Sequence, residues 1–247
     1  MTAPLDGRVA LVTGASRGIG AAAAIELARL GAHLVITART QGGLEATDDA
    51  IRAASPRGPE GAATLLPLDL ADGDQVDALG PSLLRRFGRL DILVSNAGTL
   101  GRLTPAPHIL PRDWADVVAV NFSAAWHLIR SCGPLLQVSD AGRAVFVTDR
   151  RARAPLAYWG AYGATKAGME HLVLTWADET RESRLRINLF DPGVVATRLR
   201  ATAMPGEDPS ALARPEQVAP ALARLCLPEE TRHGEIVRLQ PAAPSAL

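Results

Sequence analysis

The stretch Val9-Ala10-Leu11-Val12-Thr13-Gly14-Ala15-Ser16-Arg17-Gly18-Ile19-Gly20 decides how the rest of the chain is read. Val9 to Thr13 is a short apolar run with no polar face, the pattern of a strand buried on both sides. The three glycines after it let the backbone turn sharply, approach a pyrophosphate and pack a helix against the strand. The Ala-rich segment from about Gly18 to Leu30 predicts that helix. Its first N–H groups have no partner within the helix and are left to an anion. Thr13, Gly14, Ser16, Arg17, Gly18, Ile19 and Gly20 are therefore candidate cofactor-binding positions.

Outward from this unit the same alternation repeats. Strands are predicted at His33 to Thr37, Thr64 to Leu68, Asp91 to Ser95, Ala144 to Thr148, Leu185 to Phe190 and near Glu235 to Leu239. Helices are predicted at Gly43 to Ala54, Asp74 to Phe87, Arg112 to Leu136, Trp159 to Arg181 and Pro215 to Leu225, with an irregular stretch from Arg198 to Arg214. Strands alternating with helices call for an α/β, doubly wound parallel sheet with helices on both faces. With no repeat and no linker, residues 1–247 read as a single dinucleotide-binding domain.

Composition narrows the function classes. The 247 residues are 47% hydrophobic and 21% charged, ordinary for a globular chain with a sizeable core. A formal net charge of zero gives no electrostatic footprint for nucleic acid or a membrane surface. Cys132 and Cys226 form no disulfide or metal framework, and the five histidines have no ligand spacing, so no metal site is expected. The N-terminal residues lack the features of a signal segment, and no run has membrane-spanning length, so a cytoplasmic location is expected.

Of the 26 basic residues, 25 are arginines and one, Lys166, is a lysine. Ammonium is a compact charge on a flexible stem that can share a proton; guanidinium does not lose one. Tyr162 precedes Lys166 by four residues, which on a helix puts both side chains on one face. Lowering a phenol pKa from near 10 to 7 takes about 4 kcal/mol. A unit charge about 4 Å away at an effective dielectric of about 20 supplies about that much. Tyr162 and Lys166 are candidate proton-handling groups.

Thr13-Gly14-x-x-x-Gly18-x-Gly20, Asn96-Ala97-Gly98, Asn121, Tyr162-x-x-x-Lys166 and Pro192-Gly193-x-x-x-Thr197, in that order, resemble the short-chain dehydrogenase/reductase family from about Leu5 to Leu239. The resemblance implies a Rossmann-type sheet of about seven strands, a nicotinamide cofactor and a homodimer or homotetramer. It implies that Asn121 is the catalytic Asn, holding a water in a proton relay. Asp69, with Leu70, matches the adenine-contacting position. Asn96, Ala97 and Gly98 lie against the cofactor, with Ser95 replacing the family's first Asn. Pro192, Gly193, Val195 and Thr197 face the nicotinamide.

Arg39 ends the second strand, where such a fold places the adenosine ribose, and no Asp or Glu lies between Gly31 and Gly43. A cation there accommodates a 2′-phosphate, and Arg17 adds a second, so NADP(H) is expected over NAD(H).

One position departs from the pattern. The family's catalytic Ser lies thirteen residues before the Tyr, and here that residue is Asp149. Thr148 points to the opposite face of the strand and does not replace it. Three readings are compatible with the sequence. Asp149 is buried and donates as a neutral acid; or it pairs with Arg150, Arg151 or Arg153; or the site binds NADP(H) without useful turnover. The expected activity is NADP(H)-dependent interconversion of a carbonyl and a secondary alcohol on a small molecule. The alternative is a catalytically weak NADP(H)-binding protein acting by association or cofactor sensing. Tyr158 and Trp159 are expected in the pocket or in helix packing, Trp114, Trp126 and Trp176 in the core or a subunit interface, and residues 198–214 in a mobile substrate lid.

Overall fold

The computed structural model describes residues 3–61 and 63–239. Seven strands form one sheet: β1 (Val9–Thr13), β2 (His33–Ala38), β3 (Thr64–Pro67), β4 (Ile92–Ser95), β5 (Arg143–Val147), β6 (Arg186–Asp191) and β7 (Glu235–Arg238). Their order is β3-β2-β1-β4-β5-β6-β7, and every neighbouring pair is parallel. The order reverses between β1 and β4, which opens a crevice at the carboxyl ends of those two strands. The glycine loop leaves β1 into that crevice, and Asn96-Ala97-Gly98 leaves β4 beside it.

Helices cover both faces: α1 (Gly18–Arg29), α2 (Gln41–Ala54), α3 (Gly73–Asp77), α4 (Leu79–Phe87), α5 (Pro111–Val118), α6 (Ala124–Val138), α7 (Gly160–Glu179), α8 (Arg198–Ala203) and α9 (Pro215–Arg224). One core packs Leu79, Leu128, Leu136, Phe146, Met169 and Trp176 between the sheet and α4, α6 and α7. The other packs Leu27, Leu34, Ile36, Leu44, Phe190 and Leu222 under α1, α2 and α9. All five β1 residues are buried, as a central strand covered on both faces requires.

Three departures from the expected elements have local causes. The helix expected at residues 74–87 divides at Ala78, where Gly80 approaches the α6 backbone and donates its N–H to Ser131 Oγ at 2.8 Å. A Cβ on Gly80 would lie 1.9 Å from the Ser131 carbonyl oxygen, so only glycine allows this approach. The helix expected at residues 112–136 carries a π-helical segment, Ala119–Ser123, between α5 and α6. There the Ala124 N–H bonds the Ala119 carbonyl five residues back. Residues 198–214, expected to be irregular, begin with α8, capped by Thr197 Oγ1, which accepts the Arg200 N–H at 3.2 Å.

Candidate active site

Glycine and asparagine brace the mouth of the crevice. Thr13 Oγ1 accepts the N–H groups of Asn96 and Ala97 at 3.0 and 3.2 Å, and Asn96 Nδ2 donates to the Thr13 and Gly14 carbonyls at 3.1 and 3.3 Å. The side chains of Thr13 and Asn96 thus tie β1 to β4 and do not point outward. A Cβ on Gly14 would come within 2.8 Å of Ala97 Cα, and one on Gly20 within 2.4 Å of both Asn96 Nδ2 and the Gly14 carbonyl oxygen. The loop fits only as glycine.

The start of α1 is open. No side chain caps it and no acidic residue occupies its first turn, so its N–H groups and positive dipole end are left for an anion. Arg17, at the cap position, and Arg39, just past β2, are exposed, while Ser16 and Ile19 are half-buried. Across the crevice, Gly193 takes a φ of +72° and Thr197 Cγ2 would lie 3.6 Å from a Cβ on Gly18, so the segment after β6 meets the glycine loop. Pro192 and Val195 are buried there, and the Gly193 N–H donates to Asp191 Oδ1 at 3.1 Å. Asp69 is exposed and accepts the Ala71 N–H at 3.0 Å, while Leu70 is buried beneath the crevice. Glycines that admit no side chain, an uncapped helix start and two exposed cations fit a phosphorylated dinucleotide.

Deeper in, α7 presents Tyr162 and Lys166 on one buried face, with the Lys166 ammonium 6.0 Å from the Tyr162 ring centre. Lys166 Nζ donates to the Val147 carbonyl at the end of β5 at 2.9 Å. Asn121 lies in the π segment. Its Oδ1 accepts the Thr99 N–H at 2.8 Å, and its Nδ2 donates to the Thr99 carbonyl at 2.9 Å and to Thr165 Oγ1 at 3.2 Å. Both Nδ2 hydrogens are engaged, and Oδ1 keeps one lone pair. A Cβ on Gly98 would lie 3.4 Å from Asn121 Oδ1 and 3.8 Å from Lys166 Nζ, which brings these three residues to one point. Beneath them a cavity of about 10 Å³, lined by Ser95, Ala97, Asn121 and Lys166 among others, has the size of one water.

Electrostatics correct one expectation. Burial, then the charges of Asp149 and Asp191, holds the Tyr162 hydroxyl well above the ordinary phenol range. Burial also pulls the Lys166 ammonium down to about 8, against the pull of Asp149 and Glu170.

The Asp149 charge reaches Tyr162 and works against ionisation of its hydroxyl. It is half-buried, and its Oδ1 accepts the Arg151 N–H at 2.8 Å, capping a short turn. Of the three readings open for Asp149, the ion pair with Arg150, Arg151 or Arg153 is not present among the described residues. Arg153 instead bridges Glu170 on α7 and Asp191 at the end of β6, the latter at 2.5 Å. The Arg151 guanidinium lies over the Trp159 ring, 5.5 Å from its centre. Thr148 turns the other way and donates to Glu170, as strand alternation requires.

Trp159 is buried and meets Tyr162 edge to face, with ring centres 5.6 Å apart. Leu100 and Ala203 complete an apolar wall around Tyr162, with Leu103, Leu199 and Met204 packed against it. Tyr158 is exposed and adopts a φ of +76°, a conformation that non-glycine residues rarely take. Trp114 and Trp126, expected in a core or interface, are 44% and 46% exposed, whereas Trp176 is buried. Sequence reasoning missed Glu170, Asp191 and Thr99, and offered Arg153 only as a partner for Asp149. Glu170 alone carried a signal: it follows Lys166 by four residues, and so shares its helical face. Among the described residues no group of histidines, cysteines or carboxylates could hold a metal ion, and no helix is long and apolar enough to cross a membrane.

Comparison with known proteins agrees with this geometry. The family pattern described as short chain dehydrogenase matches residues 8–208. The uncharacterized oxidoreductase YciK of Escherichia coli K12 is 37% identical over 87% of this chain and 84% of that protein. The D-threitol dehydrogenase of Mycolicibacterium smegmatis is 35% identical over 84% of this chain and 78% of that protein. A short chain dehydrogenase from Shigella flexneri, crystallised with NADP, superposes with a TM-score of 0.90 at 34% identity, covering 98% of this chain and all of that one, 100%. With its seven parallel strands and this sequence match, the chain belongs to the short-chain dehydrogenase family.

Proposed function

We propose that the chain is a cytoplasmic, NADP(H)-dependent oxidoreductase that interconverts a carbonyl and a secondary alcohol on a small molecule. The observation that carries this reading is the convergence of Tyr162, Lys166, Asn121 and Gly98 beside a glycine loop that admits no side chain. The start of α1, Gly14, Ser16, Gly18, Ile19 and Gly20 would take the pyrophosphate, and Gly98, Lys166, Pro192, Gly193, Val195 and Thr197 the nicotinamide end. Leu70 and Asp69 would meet the adenine. Arg17 and Arg39 favour NADP(H), since two exposed cations suit a 2′-phosphate and no carboxylate stands there to bond a 2′-hydroxyl.

When bound, the cofactor supplies or accepts a hydride. The chain's own residues do the rest. Tyr162, held neutral by burial, keeps its proton until the substrate atom needs it. Lys166, anchored to the Val147 carbonyl, supplies a positive charge beside the phenol, and Asn121 holds the Thr99 backbone in the loop after β4. A homodimer or homotetramer would cover the exposed Trp114 and Trp126 of α5 and α6.

Asp149 gives weight to a second reading, a catalytically weak NADP(H)-binding protein, because a carboxylate whose charge reaches Tyr162 opposes charge developing on a substrate oxygen. Titration with NADPH and NADH, beside NADPH oxidation over a carbonyl panel, separates the two. Binding of NADPH at least tenfold tighter than NADH, lost in Arg39→Asp, is the expected result. Turnover abolished in Tyr162→Phe supports the enzyme; tight binding with no turnover on any carbonyl supports the second reading.

A further inference from the structure

We propose that Arg153 is a positioning residue, which fixes the segment after β6 against the α7 face that carries Tyr162 and Lys166. The claim rests on the NADP(H) oxidoreductase reading above, which gives that segment to the nicotinamide. It adds a residue that sets the hydride-bearing end of the cofactor relative to the proton donor.

The argument begins with the turn that follows β5. Asp149 Oδ1 accepts the Arg151 N–H at 2.8 Å, and the Asp149 carbonyl accepts the Ala152 N–H at 3.0 Å. The Arg153 N–H closes the turn on the Arg150 carbonyl at 3.0 Å. This turn lies against α7, since a Cβ on Gly163 would come within 3.1 Å of the Arg151 carbonyl oxygen. Both ends of the turn and the helix beside it thus fix where the Arg153 side chain starts.

From there the guanidinium spans two elements. Its Nη1 meets Glu170 Oε1 on α7, one turn beyond Lys166, and its Nη2 meets Asp191 Oδ2 at 2.5 Å. Glu170 also accepts the Thr148 hydroxyl. The second oxygen of Asp191 accepts the Gly193 N–H at 3.1 Å, where the chain turns with a φ of +72°. One planar fork therefore runs from the catalytic helix, through a carboxylate, to the backbone of the nicotinamide segment. An ammonium has no such fork and would hold one carboxylate well and the other poorly.

The placement suggests more than an ion pair for stability. On the β5 side the sheet ladder ends where the Thr148 N–H donates to the Phe190 carbonyl at 2.8 Å. Asp191 is the next residue, and on that side Arg153 holds it instead. Both carboxylates are 8% exposed and the guanidinium 25%, so water is poorly placed to take over the bridge. Hydride transfer needs its two carbons about 3–3.5 Å apart, and a shift of about 1 Å costs about a hundredfold in rate. The adenosine half, by contrast, is read by Arg17, Arg39 and the start of α1, none of which touches Arg153.

The test compares the whole cofactor with its adenosine half. NADPH and 2′,5′-ADP are titrated calorimetrically into the wild type, Arg153→Met and Arg153→Lys, well below the melting temperature. A triple variant, Arg153→Met with Glu170→Gln and Asp191→Asn, removes the bridge without stranding a buried charge, and serves if the single variant does not fold. Arg153→Met and the triple variant are expected to bind NADPH about tenfold more weakly while 2′,5′-ADP binding stays unchanged, with Arg153→Lys in between. NADPH oxidation by 9,10-phenanthrenequinone, used as a probe, should fall about a hundredfold in kcat with little change in KM for the quinone. If both ligands weaken together, or neither does, the positioning role falls and the oxidoreductase reading stands. If the wild type binds neither, both fall.

Discussion

Asn121 and Thr99 are joined in both directions: the Asn121 amide accepts the Thr99 N–H at 2.8 Å and donates to the Thr99 carbonyl at 2.9 Å. A side chain is thus doing for the loop after β4 what a neighbouring strand does inside a sheet. In Asn121→Ala both Thr99 groups lose their partner, and each such group costs about 1–3 kcal/mol if water does not replace it. A denaturant melt should show a loss of about 2–4 kcal/mol. Asn121→Asp should recover only part of it, because its oxygens accept from the Thr99 N–H but repel the Thr99 carbonyl.

Lys166 predicts a pH dependence of stability. Its ammonium is pulled from an ordinary value of 10.5 to about 8 in the folded chain, so between those values the unfolded chain binds more protons. Stability therefore rises with pH across this window, by about 3 kcal/mol from this residue. The buried thiols of Cys132 and Cys226, pushed up to about 12, act in the opposite sense above about 9, where the unfolded thiols ionise. The raised Tyr162 hydroxyl joins them above 10. The wild type should be most stable near pH 9. Subtracting the Lys166→Met curve should isolate a term that grows from pH 8 to 10.5; a flat difference would contradict it.

Arg153 closes an ionic clamp over Glu170 and Asp191, both buried. Removing one member of such a set leaves uncompensated charge, at a cost of about 3 kcal/mol or more. Arg153→Met should melt earlier by a corresponding amount. Arg153→Met combined with Glu170→Gln should lose less than the sum of the two single variants, since the groups are coupled. Additive losses would show that the clamp is not a unit.

Gly20→Ala should be destabilising although alanine favours helices. The added methyl would sit 2.4 Å from the Gly14 carbonyl oxygen and from Asn96 Nδ2, and displacing them costs about 1–3 kcal/mol. The glycine loop should also lose NADPH affinity, measured by titration. Gly42→Ala, where a Cβ meets nothing within 4 Å, is the control and should be neutral or slightly stabilising.

Much of this fold was legible because its strands are covered on both faces. Val9–Thr13 and Glu235–Arg238 stand within one residue of where their apolar runs predict them. The π segment was not legible in its geometry, since an inserted residue in a helix leaves the apolar spacing nearly unchanged; only Asn121, a poor helix former, hinted at it. The Tyr162–Lys166 face followed from four-residue spacing. Its pKa ordering did not, because desolvation depends on burial, which a one-dimensional pattern does not give. Arg153 was read as one of a cationic run, and its real partners lie 17 and 38 residues away in sequence. Long-range ion pairs leave no local trace.

With 25 arginines and one lysine, the folded chain offers an acylating reagent a single ammonium-bearing side chain besides the α-amino group, and that side chain lies 5% exposed beneath the crevice. Amine labelling at Lys166 becomes a clock for how often the cleft breathes. Slower labelling in the presence of a dinucleotide would map its seat without a crystal.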